Sequence, residues 1–168
     1  MMHYIRTTYP DINNGVGCRA TIWFSGCSHH CKGCHNEWTW KYGQGKPISE
    51  LYDEIESMLK KNTYLVGITL SGGDPFSQKN VDLDELLSFV KWFKETFPDK
   101  NIWLYSGDKY EDCMMHHIKR DILSYCDVMV DGEFRIEEKD LSLPFRGSRN
   151  QRVIDLKKSV NFVEEYKF

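Results

Sequence analysis

Four short apolar runs, Arg19 to Ser25, Leu65 to Leu70, Asn101 to Tyr105 and Cys126 to Val130, are set apart by stretches of helical period. Ile48 to Lys61 carries Leu51, Ile55, Met58 and Leu59 on one face behind Ser49 as a cap. A second helix opens on the capping-box pattern Asp82-x-x-Glu85 and carries Leu83, Leu86, Leu87, Val90 and Phe97. Glu111 to Ser124 carries Met114, Ile118 and Ile122. Strands that alternate with helices pair in parallel through right-handed crossovers. A closed eight-stranded barrel takes about 250 residues, which 168 residues cannot supply. The expectation is therefore α/β: an open arc of four to six mainly parallel strands, forming one domain over residues 1–168, because no linker-like stretch divides the chain. A further short strand is expected at Arg152 to Leu156. Residues 3–17 read as polar and turn-rich around Asn13-Asn14-Gly15, and the last twelve residues show no pattern that assigns them.

A hydrophobic content of 40% is enough for a core, and no run approaches the ~18 apolar residues of a membrane helix, so no membrane partner is expected. The start, Met1 to Arg6, lacks a charged segment followed by an apolar one, which points to the cytoplasm and to cysteines that are reduced or metal-bound. Net charge is −3, and basic residues are scattered except for Arg146, Arg149 and Arg152, so no nucleic-acid surface is expected. That arginine stretch reads either as a clamp for phosphate or carboxylate, or as a solvated loop paired with Glu137, Glu138 and Asp140.

The expected strand ends carry the chemistry. The first delivers the chain into Cys27-x3-Cys31-x2-Cys34, three thiols in a compact loop. A [4Fe-4S] cube normally takes four cysteines, so three leave one iron with an open position. The same thiolates could instead hold a structural zinc with His35 or Cys18 as fourth ligand, although no second paired clip is present. The second run ends in Ser71-Gly72-Gly73-Asp74-Pro75, where two glycines admit close approach to backbone. The third ends at Ser106-Gly107 and the fourth at Asp131-Gly132. Strand carboxyl ends are where open α/β sheets place their sites. Cys18, Cys113 and Cys126 read as buried small hydrophobes, and His29, His30, His116 and His117 as loop or helix-surface residues.

The cysteine loop resembles that of the radical S-adenosylmethionine (SAM) superfamily. Within it, the chain is most similar to glycyl-radical activating enzymes that serve anaerobic ribonucleoside-triphosphate reductase. The segments that carry the likeness are Gly15-Val16-Gly17, Gly33-Cys34-His35-Asn36 with Thr39-Trp40, Leu70 to Pro75, Val130-Asp131-Gly132-Glu133-Phe134, and Phe145 to Arg152. The resemblance implies a partial (β/α) barrel of the radical SAM type, a [4Fe-4S] cluster on Cys27, Cys31 and Cys34, and SAM as second cofactor. It places SAM against Gly33, Cys34, His35, Gly72, Gly73 and Asp74, with Ser106 reaching the carboxylate or ribose and Asp131 near the shared site. It also implies reductive cleavage of SAM, hydrogen abstraction from a glycine of the reductase, and a low-potential electron donor such as flavodoxin. No side-chain acid or base is needed. Gly33 stands where many superfamily loops carry an aromatic residue on the adenine, so His35 or another ring must supply that surface, or backbone alone holds the base. A different target, such as pyruvate formate-lyase, and a non-catalytic zinc-bound interaction module are the alternatives.

Overall fold

The computed structural model describes residues 1–168. Its elements are β1 (His3–Asp11), β2 (Arg19–Phe24), β3 (Lys46–Pro47), α1 (Leu51–Lys61), β4 (Gly67–Gly72), α2 (Asn80–Thr96), β5 (Asn101–Tyr105), α3 (Tyr110–Met114), α4 (His117–Ser124), β6 (Val128–Asp131) and β7 (Arg152–Asp155). They form one open sheet in the order β3-β1-β2-β4-β5-β6-β7. The four strands expected from the apolar runs are its parallel centre, β2-β4-β5-β6.

Both flanks differ from the expectation. Seven strands stand where four to six were expected, because β1 and β3 add an antiparallel margin beside β2, and β7 pairs antiparallel with β6. β1 falls within the stretch read as turn-rich. Its residues are mostly half-exposed or exposed, so it lacks the apolar run that marks a strand buried on both faces.

Parallel register puts Ile22, Leu70 and Leu104 side by side, with Met129 next to Leu104. These side chains are fully buried in one cluster with Leu51 and Ile55 of α1, Leu83, Leu86 and Phe89 of α2, and Ile118 and Ile122 of α4. Period 2 in the strands and period 3.6 in the helices meet there, as the sequence pattern requires. Cys113 and Cys126 lie in the same cluster, as expected.

Helix starts do not follow the sequence signals. Ser49 sits in a 3-10 turn, Ile48–Glu50, and caps nothing. α2 begins at Asn80, and the carboxylates of the apparent capping box go elsewhere: Asp82 pairs with the N-terminal ammonium at 2.7 Å, and Glu85 accepts from the Met2 amide at 3.0 Å. The stretch Glu111 to Ser124 is two helices, with His116 Nδ1 accepting the Lys119 amide at the second start.

The opposite face of the sheet has no helices. Thr69, Ser71, Trp103, Tyr105, Val128 and Val130 alternate with the core residues; Trp103 and Val128 pack with Val153, and Ser71, Tyr105 and Val130 line a hollow. Arg19 fills one end of it, entirely buried and without a carboxylate partner: it donates to Thr69 Oγ1 at 2.8 Å and to the Val16 and Ile68 carbonyls at 3.0 and 2.7 Å. Burial lowers its pKa to about 10, so the group stays cationic. The C-terminal residues close over Trp103. Tyr166 donates its amide to the Val153 carbonyl at 2.7 Å, and its ring lies against Trp103 and Phe168.

Candidate cofactor site

β2 ends against β4, and the chain turns at Gly26 (φ +103°) into the cysteine loop. The turn is tied on both sides: the Gly26 amide donates to the Thr39 carbonyl at 2.7 Å, and the Asp74 amide donates to the Gly26 carbonyl at 2.8 Å. A Cβ on Gly73 would run into that same carbonyl. The glycine expected to let a ligand approach backbone is therefore needed first for the seam between β4 and the cysteine loop. Gly72 (φ +100°) is also pressed against β2, at the Phe24 backbone.

Cys27, Cys31 and Cys34 all line one open cavity of about 540 Å³, together with Gly72, Gly73 and Asp74. Cys18, Cys113 and Cys126 are not among its walls. Three thiols and no fourth is the donor set that leaves one iron of a four-iron cube free, so these residues fit the cluster. Burial pushes the Cys27 thiol up. Burial, and then the nearby Glu133 carboxylate, does the same to Cys31. A bound metal deprotonates such thiols outright. Cys34 Sγ also accepts the Asn36 amide at 3.4 Å, one of the sulfur hydrogen bonds by which a protein adjusts a cluster's potential.

Asp74, 1% exposed, is the polar hub. One oxygen accepts the Phe76 amide at 2.8 Å; the other accepts Ser106 Oγ at 3.0 Å and the Gly107 amide at 2.8 Å. Ser106 in turn accepts the Asp108 amide at 3.0 Å, so both its hydroxyl roles are spent within the protein. His29 Nε2 lies 2.9 Å from Asp74 Oδ2 and 3.2 Å from Asp108 Oδ1. Neither oxygen lies along its N–H axis, so these are contacts of charge more than aligned hydrogen bonds. Asp108 first, and then Asp74, raise the His29 pKa well above its ordinary range. Burial alone would raise Asp108, but His29 and Lys119, the latter 2.6 Å away, outweigh it and hold the carboxyl low. Two cations thus offset two carboxylates.

The cavity's other residues depart from expectation in informative ways. Gly33 is not among its walls: it has positive φ (+78°), and its missing Cβ makes room for Ile136. His35 and Phe134 do line the cavity, with ring centroids 5.7 Å apart. Asp131 lies outside it, buried, accepting the Tyr110 amide at 2.9 Å and paired with Arg152 at 2.5 Å. Arg152 also meets Glu111 at 2.7 Å. Arg146 is a cavity wall, whereas Arg149 is exposed. None of the three arginines forms an ion pair with Glu137, Glu138 or Asp140, the partners in one of the two readings of this stretch. His29 lies in a loop, as expected, but its side chain turns inward to Asp74 and Asp108, which nothing in sequence spacing signals.

Residues 13–154 match the model of a family described as a 4Fe-4S single cluster domain. Three curated relatives bear the name anaerobic ribonucleoside-triphosphate reductase-activating protein. The one from Pasteurella multocida is 38% identical over 156 residues, covering 89% of this chain and 95% of the relative. That of Enterobacteria phage T4 is 40% identical over 156 residues, covering 90% and 93%. That of Vibrio cholerae is 42% identical over 146 residues, covering 85% and 92%.

Proposed function

This chain belongs to the family of anaerobic ribonucleoside-triphosphate reductase-activating proteins, and from that premise we propose that it installs the glycyl radical of such a reductase, using SAM, in a partial (β/α) barrel of the radical SAM type. The observation that carries the reading is the meeting of three loop thiols with the Gly72-Gly73 end of β4 on one open cavity.

When bound, a four-iron cluster would supply an open iron and one electron for reductive cleavage of the sulfonium C–S bond of SAM to methionine and a 5′-deoxyadenosyl radical, the species that would take a hydrogen atom from a glycine of the reductase, giving 5′-deoxyadenosine and the glycyl radical. The chain's own residues hold and shield. Cys27, Cys31 and Cys34 are the ligands. Gly72, Gly73 and Asp74 line the same cavity as the thiols and would hold SAM there. His35 and Phe134 offer ring faces to the adenine. Ser106 acts through Asp74, and Asp131 acts through Arg152 and the start of α3, keeping strand ends in place. No general acid or base takes part. A low-potential donor such as flavodoxin would supply the electron, in the cytoplasm. No helix is long and apolar enough to cross a membrane.

The test is to reconstitute the protein anaerobically, add SAM, a strong reductant and an anaerobic ribonucleotide reductase, and record electron paramagnetic resonance. A glycyl radical on the reductase is the expected result. A radical formed on pyruvate formate-lyase and not on the reductase would reassign the target. A colourless protein holding one zinc would end the reading.

A further inference from the structure

The chemistry proposed above makes no use of His29, although it stands between two of the three candidate ligands. Its surroundings are unusually specific. No amide of residues 28–33 donates to a backbone carbonyl, so side chains have to order this part of the loop. His29 is the histidine of the loop that turns inward, its side chain 15% exposed, whereas His30 is exposed and stacks on Trp40. The groups it meets are themselves fixed: Asp74 by the Phe76 and Gly107 amides and Ser106, and Asp108 by Lys119. On its other side, Nδ1 lies 3.6 Å from Glu133.

Gly107 gives independent support. A Cβ there would sit 2.7 Å from His29 Cδ2. Its φ lies outside the left-handed region, so what a side chain would cost here is space: a Cβ would displace the imidazole from its seat.

We propose that His29 is a positioning residue: seated on Gly107 and bridging Asp74 and Asp108, it locks the Cys27–Cys31 segment in register with the ends of β4 and β5. Asp74 adjoins Gly73, so the lock ties the ligand loop to the edge assigned above to SAM, and in that respect the inference rests on the proposed function. The three donors His29, Asp74 and Asp108 lie within 4.8 Å of one another, and Lys119 also meets Asp108, at 2.6 Å, so side chains of the protein itself complete the cluster.

Four variants test it: His29→Ala, His29→Gln, Gly107→Ala, and Lys32→Ala as a control on an exposed residue of the same loop. The first readout is backbone hydrogen exchange of the metal-free protein, which needs neither cluster nor SAM. His29→Ala and Gly107→Ala should speed exchange of the Asp74, Phe76, Gly107 and Asp108 amides, which are hydrogen-bonded where the loop meets the strand ends, His29→Gln should restore part of the protection, and Lys32→Ala should match the parent. The second readout is SAM binding by reconstituted protein of equal iron content, with the SAM-induced change in the spectrum of the reduced cluster as its signature. Supporting residues around a metal site typically contribute 10- to 100-fold in affinity, so His29→Ala should weaken SAM by about that factor. Parent-like exchange in both His29→Ala and Gly107→Ala would overturn the inference. A parent that binds no SAM would instead sink the proposed function, while the exchange data would still judge His29.

Discussion

On one face of the sheet Ile22, Leu70, Leu104 and Met129 press against α1, α2 and α4; on the other Ser71, Tyr105 and Val130 surround an open cavity. Neighbouring residues of the same strands thus meet opposite demands. The helix-covered face is apolar and interchangeable in principle, provided volume and shape are kept. The hollow face carries Arg19, Thr69, Ser71, Trp103 and Tyr105, side chains with particular polar atoms in particular places. Stability is concentrated on the first face and chemistry on the second. The ends of the strands, where Asp74 and His29 sit, are the border between them.

The sharpest way to break this division is with cysteine. Cys27→Ala, Cys31→Ala and Cys34→Ala are each expected to abolish SAM cleavage while leaving the melting of the metal-free protein near that of the parent. Cys113→Ala, on the helix side, should retain iron and cleavage. Iron and sulfide assays with product chromatography decide it, and iron loss from Cys113→Ala would mean that the ligand set is wrongly drawn.

Next in size, Leu104→Ala on the apolar face should cost about 2–5 kcal/mol in denaturant unfolding, the usual range for a buried leucine, with no selective effect on SAM binding once folded. Arg152→Ala strips the partner from Asp131, which is 1% exposed. Leaving a buried carboxylate unpaired should cost about 1–3 kcal/mol, the lower figure favoured because Arg152 is itself partly exposed. A smaller loss than from an exposed pair would show Asp131 to be solvated in solution.

The border itself should respond to pH. His29 and Lys119 hold the Asp108 carboxyl below its ordinary 3.8, so its contribution is present above about pH 4 and fades as pH falls further. His29 is raised from 6.5 to about 11, so its contribution is complete below pH 6.5 and fades as pH climbs toward 11. In metal-free protein, His29→Ala should therefore remove an alkaline loss of stability that the parent shows, read as the difference between their melting curves against pH. Smallest of all, Arg149→Ala, at an exposed position, should stay within about 0.5 kcal/mol of the parent in unfolding.

The same division explains what could be read from sequence. Ile68, Leu70, Ile102 and Leu104 declare themselves within short apolar runs, and Leu83, Leu86 and Val90 by helical period, because solvent exclusion acts on every residue of a buried face alike. Cys27, Cys31 and Cys34 declare themselves by spacing, since one loop must reach one cluster. β1 did not, because a margin strand with much of its surface in water needs no apolar run. The role of His29 was also out of reach: its contacts depend on Asp74 and Asp108, brought beneath the loop only by two crossovers. Asp131 and Arg152 are legible as a pair only once β7 is known to run antiparallel to β6, which sets them directly opposite.

The seating of the cysteine loop on later parts of the chain has a consequence in time. A ribosome adds about 5–20 residues per second, so Cys34 emerges on the order of ten seconds before Ile136, which covers Gly33, and several seconds before the Gly107 shelf on which His29 rests. During that interval the three thiols belong to a nascent chain with a strand but no pocket. The pocket is therefore complete only near the end of translation, and until β5 and the segment after β6 have docked, these cysteines lack the cover that the finished fold gives them.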